Sequence, residues 1–217
     1  MKSKKFLVLG LSALALTAAV SLAACGGGGG GGGGGATTYT MEAEYVDIVD
    51  VVGSGLSSDQ SGYNLIYGDG TQAQKDLGWS SGYYVGYTYT TEFKLDFVFK
   101  ADKATTATII IRLGSELGDI MLTPDNFEVS LNGTPINYAA MTIQNSESMA
   151  KMKFEDKTLT SNASLLQGEN TISVRILDND LRGSTTGGPT IDCIKIRTDA
   201  KLTYTENTDN PANRGSI

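Results

Sequence analysis

Two glutamates stand two residues apart in the segment Met-Glu-Ala-Glu-Tyr, residues 41–45. In a β-strand, residues two apart lie on the same face, so Glu42 and Glu44 are expected to project together. Two adjacent carboxylates repel each other unless a cation or a proton lies between them. A third carboxylate, Asp192, lies near the start of the last apolar segment, and it joins the pair if the first and last strands run antiparallel. Hard oxygen ligands in this number suit Ca²⁺, so the sequence predicts a calcium site at Glu42, Glu44 and Asp192, with solvated carboxylates at strand ends as the alternative.

The chain contains no histidine, which excludes a Ser-His-Asp or Cys-His catalytic site and a histidine-ligated zinc. Its two cysteines are Cys25 and Cys193, and the second lies in an apolar strand pattern that predicts a small buried side chain. Asp178, Asn179 and Asp180 are a candidate for a second cation loop. They lack a glycine or a glutamate at EF-hand spacing, which favours a solvated turn instead.

The N-terminus has the layout of a secretory signal peptide, with Lys2, Lys4 and Lys5 before an apolar run over residues 6–20. That run is shorter than the roughly 20 residues that a helix needs to cross a bilayer. The segment Leu-Ala-Ala-Cys that ends at Cys25 resembles the bacterial lipobox, which implies cleavage before Cys25 and a diacylglycerol thioether on its sulfur. An ordinary signal peptide with a coincidental cysteine is the alternative.

Ten glycines follow Cys25 at once, and a glycine-rich segment of that length has an r.m.s. reach of about 17–19 Å. We therefore expect a lipoprotein signal peptide over residues 1–24 and a lipidated cysteine with a flexible linker over residues 25–38. The expected location is the extracytoplasmic face of a bacterial cell membrane, with the lipid as the only membrane attachment.

Charge narrows the class of partner. Without the signal peptide, 14 basic residues against 24 acidic ones leave a net charge of −10. This argues against nucleic acid, whose recognition needs a basic surface. A monomeric surface protein that stays soluble through its charge is expected.

The remainder of the chain alternates in the manner of β-strands. Phe93, Leu95, Phe97 and Phe99 are expected to face one way, and Glu92, Lys94 and Asp96 the other, as in a strand with one face on a core. Asn132-Gly133 between two apolar segments predicts a hairpin. Many short strands predict an all-β fold over residues 39–202, a jelly-roll β-sandwich of two antiparallel sheets, followed by a polar tail over residues 203–217. The predicted strands span residues 39–45, 62–66, 83–89, 92–99, 105–113, 126–131, 136–138, 149–154, 171–177 and 190–197.

Four segments together resemble the carbohydrate-binding modules of families 6 and 35, which are galactose-binding-like jelly rolls. The opening Glu-Ala-Glu at residues 42–44 matches the start of the family pattern, and residues 82–87 are similar to its G-x-x-V-G-Y strand. Residues 166–172 resemble its L-x-x-G-x-N-x-I turn, and residues 189–196 match its closing I-D-x-I-x-I strand. The resemblance implies a structural calcium, held away from the sugar by Glu42, Glu44 and Asp192.

It also implies a glycan site in loops at one end of the sandwich or on a concave sheet face. Such a site needs an aromatic platform and fixed polar groups. Trp79, the only tryptophan, lies in a glycine- and serine-rich loop, and its alternative is a side chain folded onto the sandwich edge. Arg112 is a candidate partner for a uronate, although pairing with a surface carboxylate is commoner. The candidate ligand-binding residues are Trp79, Tyr83, Tyr84, Arg112 and Asn179.

The expected function is therefore non-catalytic glycan binding by a cell-surface lipoprotein with a structural calcium. An adhesion or protein-interaction module on the same scaffold is the first alternative, because a fold does not determine a function. A jelly-roll glycosidase or lyase is less favoured, since it would need paired carboxylates in a cleft and calcium explains the visible pair better.

Overall fold

The computed structural model describes residues 35–46, 48–49, 66–86, 88, 91, 93–116, 118–178 and 188–206. All of them belong to one compact unit. The predicted signal peptide, Cys25, Asn179 and Asp180 lie outside the described residues. In the described part of the chain, no helix is long and apolar enough to cross a membrane.

Two six-stranded antiparallel sheets make up most of the structure. In the first sheet, the strand Thr190–Thr198 lies in the middle. The long strands Thr105–Gly114 and Glu155–Leu165 lie on one side of it, and the opening strand Thr37–Glu42 lies on the other. The first sheet contains β1 (Thr37–Glu42), β3 (Ile66–Gly68), β4 (Tyr83–Val85), β6 (Thr105–Gly114), β11 (Glu155–Leu165) and β13 (Thr190–Thr198).

The second sheet is built around β5 (Lys94–Ala101) and β12 (Gly168–Ile176), which pair over eight positions. A separate two-stranded ribbon joins β7 (Ile120–Leu122) and β10 (Met141–Ile143). The second sheet contains β2 (Ile48–Val49), β5 (Lys94–Ala101), β8 (Phe127–Leu131), β9 (Thr134–Pro135), β12 (Gly168–Ile176) and β14 (Leu202–Tyr204).

One hydrophobic core joins the inner faces of both sheets. The predicted alternation in β5 is confirmed, since its phenylalanines and Leu95 are buried while Lys94, Val98 and Lys100 are less so. Successive long strands alternate between the sheets, as in a jelly roll. The prediction of an all-β sandwich of two antiparallel sheets is confirmed.

Short helical segments connect some strands. They are the helix α1 (Gln72–Asp76) and two 3₁₀ turns, Ala43–Tyr45 and Met149–Lys151. The second 3₁₀ turn begins the segment predicted as a strand over residues 149–154, so that prediction is wrong. The first shows that the opening strand ends at Glu42, not at residue 45.

The hairpin prediction is confirmed. Asn132 and Gly133 both have positive φ, 52° and 76°, and they join β8 to β9. Two consecutive residues in this region form the tight turn that suits the twist of antiparallel strands. The returning strand is Thr134–Pro135, and residues 136–138, predicted as a strand, are irregular.

Candidate functional site

The three predicted carboxylates meet at one end of the first sheet. Strands β1 and β13 pair antiparallel, with Glu42 opposite Cys193. This pairing brings the end of the opening strand beside the start of the closing one. Glu44 and Asp192 are both fully buried. Neither is an ordinary solvated residue at a strand end.

The local structure that brings the side chains of Glu42 and Glu44 together differs from the strand that was expected. Glu42 ends β1, and Glu44 lies in the 3₁₀ turn that comes next. The two-residue alternation of a strand therefore does not bring them together. The turn does so instead, and it lies against the closing strand and β4.

A β-bulge places Asp192. Across β13 and β6, Ile191 opposes Leu113 and Cys193 opposes Arg112, so Asp192 is the extra residue between two regular pairs. A bulge bends its strand and redirects a side chain. Here the Asp192 carboxylate forms an ion pair with the neighbouring strand, 3.0 Å from Oδ2 to Arg112 Nε.

Two serines between α1 and β4 contact all three carboxylates. The backbone N–H of Ser80 donates to Asp192 Oδ1 at 3.1 Å, and its hydroxyl lies 2.8 Å from Asp192 Oδ2. The same hydroxyl also contacts Glu42 Oε2, while the Ser81 hydroxyl contacts Glu44 Oε1. One hydroxyl proton serves only one acceptor at a time. Glu42 and Asp192 therefore compete for it.

The electrostatic consequence is a set of carboxyl groups that resist ionisation. Burial raises the pKa of Glu42 to about 7; the Ser80 hydrogen bond opposes this shift and the charge of Asp192 adds to it. Burial and then the charge of Glu42 raise the pKa of Glu44 well above its ordinary value. The pKa of Asp192 is also raised, because burial outweighs its contacts with Ser80 and Arg112. Without a cation, the cluster retains protons near neutral pH.

Two basic side chains offset part of the negative charge. Arg112 pairs with Asp192 and, through Nη1, with Asp156 at 2.9 Å. Lys195 pairs with Asp156 at 2.7 Å. With Glu42 and Glu44 ionised, this network has four carboxylates against two cations. The remaining two negative charges equal the charge of one divalent cation.

Two of the three predicted carboxylates, Glu42 and Asp192, bring their oxygens close enough to share a Ca²⁺, while Glu44 lies outside this group of ligand atoms. Glu42, Asp192 and Cys193 offer ligand atoms within 4.8 Å of one another, and the serine hydroxyls add oxygen. Ca²⁺ prefers six to eight oxygens and accepts flexible geometry. The Cys193 thiol is the exception, and burial raises its pKa, so it is a poor ligand for a hard cation.

Two of the predicted ligand-binding residues, Trp79 and Tyr84, lie in a small hydrophobic core and not among the carboxylates. Trp79 is 3% exposed and forms a small second core with Tyr84 and Met152. Its ring meets that of Tyr84 edge-on at 4.9 Å, and its N–H donates to the Met152 carbonyl at 2.9 Å. Neither ring offers a stacking surface to a sugar in this structure. For Trp79, the structure favours the alternative placement, a loop side chain folded onto the sandwich edge.

The other candidate ligand-binding residues are Tyr83, Arg112 and Asn179. Tyr83 is half-buried and packs against the main core. Arg112 is engaged by two carboxylates and by the Gly78 carbonyl at 2.7 Å, which is the alternative expected for an arginine at that position. Asn179 lies outside the described residues, and so does most of the proposed Asp178–Asp180 cation loop.

Sequence reasoning missed Ser80, Ser81 and Asp156 as members of this site. The serines had one visible signal, a pair of hydroxyls between Gly78 and Gly82 in an otherwise apolar loop. Both glycines have positive φ, 94° and 90°, so the loop turns sharply on each side of the serines. Asp156 had no comparable signal.

Comparisons with known proteins gave structural likenesses only. No family model matches the chain, and no curated protein matches it. A family 35 carbohydrate-binding module from Cellvibrio japonicus Abf62 is 12% identical, with a TM-score of 0.48 over 77% of this chain and 96% of that one. A family 35 module from Clostridium thermocellum is 18% identical, with a TM-score of 0.46 over 74% and 98%.

A β-(1,4)-mannanase from Podospora anserina carries a domain of the same kind. It is 18% identical, with a TM-score of 0.46 over 79% of this chain and 29% of that one. These three similar structures are thus family 35 carbohydrate-binding modules, two of them free and one joined to an enzyme.

Proposed function

We propose that this chain is a non-catalytic glycan-binding module, stabilised by Ca²⁺ and held at a bacterial surface by a lipid on Cys25. The observation that carries the proposal is the meeting of Glu42, Glu44 and Asp192 on one pair of serines. Ser80 and Asp192 are 112 residues apart in sequence. The opening and closing segments that bear the resemblance to families 6 and 35 lie together in space, with the carboxylates that its calcium site requires.

In this proposal the cation neutralises the cluster and links the two ends of the domain. Glu42 contributes from the opening strand and Asp192 from the closing strand, while Ser80 and Ser81 orient the carboxylates. Buried carboxylates that a cation pairs no longer incur the cost of uncompensated charge. The role of these residues is to hold the fold, and the glycan binds elsewhere.

The glycan site is proposed at loops near the strand ends. The burial of Trp79 and Tyr84 leaves Tyr83 and Asn179 as the sequence-based candidates for direct contacts. Recognition would then depend more on hydrogen bonds to sugar hydroxyls than on a broad stacking platform. Such contacts discriminate well, because an unmatched buried polar group is costly.

The calcium part is tested by thermal unfolding in EDTA and in Ca²⁺. A ligand that binds only the folded state, present at 100 times its Kd, stabilises it by about 2.7 kcal/mol. We expect Ca²⁺ to raise the Tm of the wild type and to have little effect on Asp192→Asn. Asp199→Asn is the matched control, because Asp199 pairs with Lys103 on the surface. An unchanged Tm in EDTA, with no calcium by elemental analysis, would overturn this part.

The glycan part is tested on a broad glycan array with calcium-loaded protein. We expect binding to a restricted set of glycans and about tenfold weaker binding by Asn179→Ala, the loss of one or two hydrogen bonds. Asn162→Ala is the matched control, since Asn162 is exposed on the edge strand β11. A folded, calcium-loaded protein that binds no glycan contradicts the proposal.

A surface adhesion or protein-interaction module is the second candidate. The burial of Trp79 and Tyr84 favours it, because these rings were the strongest candidates for sugar stacking. Under this alternative, the array is negative while lipidated protein still makes cells adhere to a surface coated with host or bacterial protein. Adhesion that free sugars abolish would return the assignment to glycan binding.

A further inference from the structure

Arg112 connects three elements that surround the carboxylate cluster. Its Nε lies 3.0 Å from Asp192 Oδ2, and its Nη1 lies 2.9 Å from Asp156 Oδ1. Its Nη2 donates to the carbonyl of Gly78 at 2.7 Å. One guanidinium thus joins the bulge in β13, the edge strand β11 and the loop before β4. A planar fork with several donors is suited to such a junction.

The contact with Gly78 matters because the two serines of the site are close to it in sequence. Ser80 and Ser81 come two and three residues later, and they contact all three carboxylates of the cluster. Arg112 therefore holds the loop from one end while it holds Asp192 directly. The side chain of Arg112 is 19% exposed, so solvent screens these contacts only in part.

We propose that Arg112 is a positioning residue for the candidate cation site. It holds Asp192 and the loop of residues 78–81 in the liganding arrangement before the cation binds. This inference rests on the proposed calcium function. It assigns Arg112 to the support of the metal ligands, where the sequence suggested contact with a uronate.

If Arg112 positions the ligands, its removal should weaken cation binding, whereas a simple charge effect predicts the opposite. A positive side chain beside a cation site repels the cation, so its removal should strengthen binding. Lys195 separates the two explanations. In the described part of the chain it hydrogen-bonds to Asp156 alone, at 2.9 and 2.7 Å. It carries the same charge near the same carboxylates without holding Asp192 or the loop.

The test is Tb³⁺ luminescence, excited through the nearby aromatic side chains, with Ca²⁺ as competitor. Loss of groups that orient metal ligands typically costs 10–100-fold in affinity. We expect a loss of that size for Arg112→Met. Arg112→Lys, which retains the charge but lacks the planar fork, should lose affinity as well. Lys195→Met should bind the ions as tightly as the wild type or more tightly.

The result that overturns the inference is equal or tighter binding by Arg112→Met, or an equal loss in Lys195→Met. Circular dichroism of each variant verifies folding, and Arg112→Lys keeps the test valid if Arg112→Met does not fold.

A second measurement needs no metal. In EDTA, hydrogen exchange of the Ser80 amide, which donates to Asp192 Oδ1, should be faster in Arg112→Met than in the wild type and unchanged in Lys195→Met. Equal exchange in all three proteins refutes the positioning role. A wild type that binds neither Tb³⁺ nor Ca²⁺ refutes the calcium proposal, while the exchange data still decide whether Arg112 holds the loop.

Discussion

At the scale of single residues, folding strongly changes the carboxyl groups of Glu42, Glu44 and Asp192. All three have a raised pKa, and burial is the first cause in each case. The surface carboxylate of Asp199, which pairs with Lys103, has a lowered pKa instead. The two kinds of group make opposite contributions to the pH dependence of stability.

The buried cluster should make the metal-free protein less stable as pH rises. Between the ordinary value of 4.5 and about 7, the folded state keeps a proton on Glu42 that the unfolded state has lost. The free energy of unfolding therefore decreases with pH across this window, for Glu42 by at most about 3 kcal/mol. We expect the Tm in EDTA to fall from pH 5 to pH 7.5, and Ca²⁺ to remove the fall.

Glu42→Gln tests the assignment, because it keeps the shape of the side chain and removes its titration. Its Tm in EDTA should decline less steeply than that of the wild type. Asp199→Asn, at a carboxylate whose pKa is lowered, should leave the decline in place. Parallel curves for the wild type and Glu42→Gln would show that Glu42 does not contribute.

At the scale of elements, the loop from Leu77 to Gly82 connects the carboxylate cluster to the small aromatic core. Trp79 anchors the loop among Tyr84, Met152 and Phe154. On either side of it, Ser80 contacts the carboxylates and the Gly78 carbonyl accepts a hydrogen bond from Arg112. Loops position functional groups well only when a rigid scaffold holds them. Here the tryptophan supplies that hold.

Trp79→Ala should destabilise the protein by about 3–5 kcal/mol, the usual cost of truncating a buried aromatic side chain. Urea unfolding measures this loss, and Trp79→Phe should lose less. Leu77→Ala is the control in the same loop, since Leu77 is 49% exposed and surface changes usually stay within about 0.5 kcal/mol. If Trp79→Ala proved as stable as Leu77→Ala but failed to bind glycan, Trp79 would be a binding residue.

At the scale of the whole molecule, the candidate cation site joins the two ends of the domain. The opening strand pairs directly with the closing strand over six positions, and the cluster lies where that pairing ends. A cation there would cross-link β1, β13 and the loop before β4. Such a cross-link would oppose fraying of the N-terminal strand β1.

The lipid anchor is a prediction at this scale as well. We expect Cys25→Ser to move the protein from the detergent phase to the aqueous phase in Triton X-114 partitioning, because each buried methylene of the lipid contributes about 0.8 kcal/mol. Cys193→Ala is the control, since Cys193 is buried in β13, and it should remain with the detergent. Retention of Cys25→Ser in the detergent phase would contradict lipidation at this residue.

Local patterns in the sequence were sufficient for much of the fold. Alternation in β5, β8 and β12 predicted strands with one buried face, and Asn132-Gly133 predicted its hairpin, because both depend on neighbours in the chain. Strand β11 was missed over residues 155–165, where only Leu159, Ala163 and Leu165 are buried. Because it is an edge strand with an irregular register, most of its residues are not buried, and the sequence shows no regular alternation of apolar and polar residues.

For the candidate site, the sequence predicted the three carboxylates, on the condition that the strand at residues 39–45 pairs antiparallel with the strand at residues 190–197. The arrangement itself depends on contacts between distant segments. The bulge that redirects Asp192, the serines that bind the carboxylates and the partners of Arg112 all come from residues at least 34 positions apart. Packing also determined that Trp79 is buried, because a loop composition does not show which neighbours will cover it.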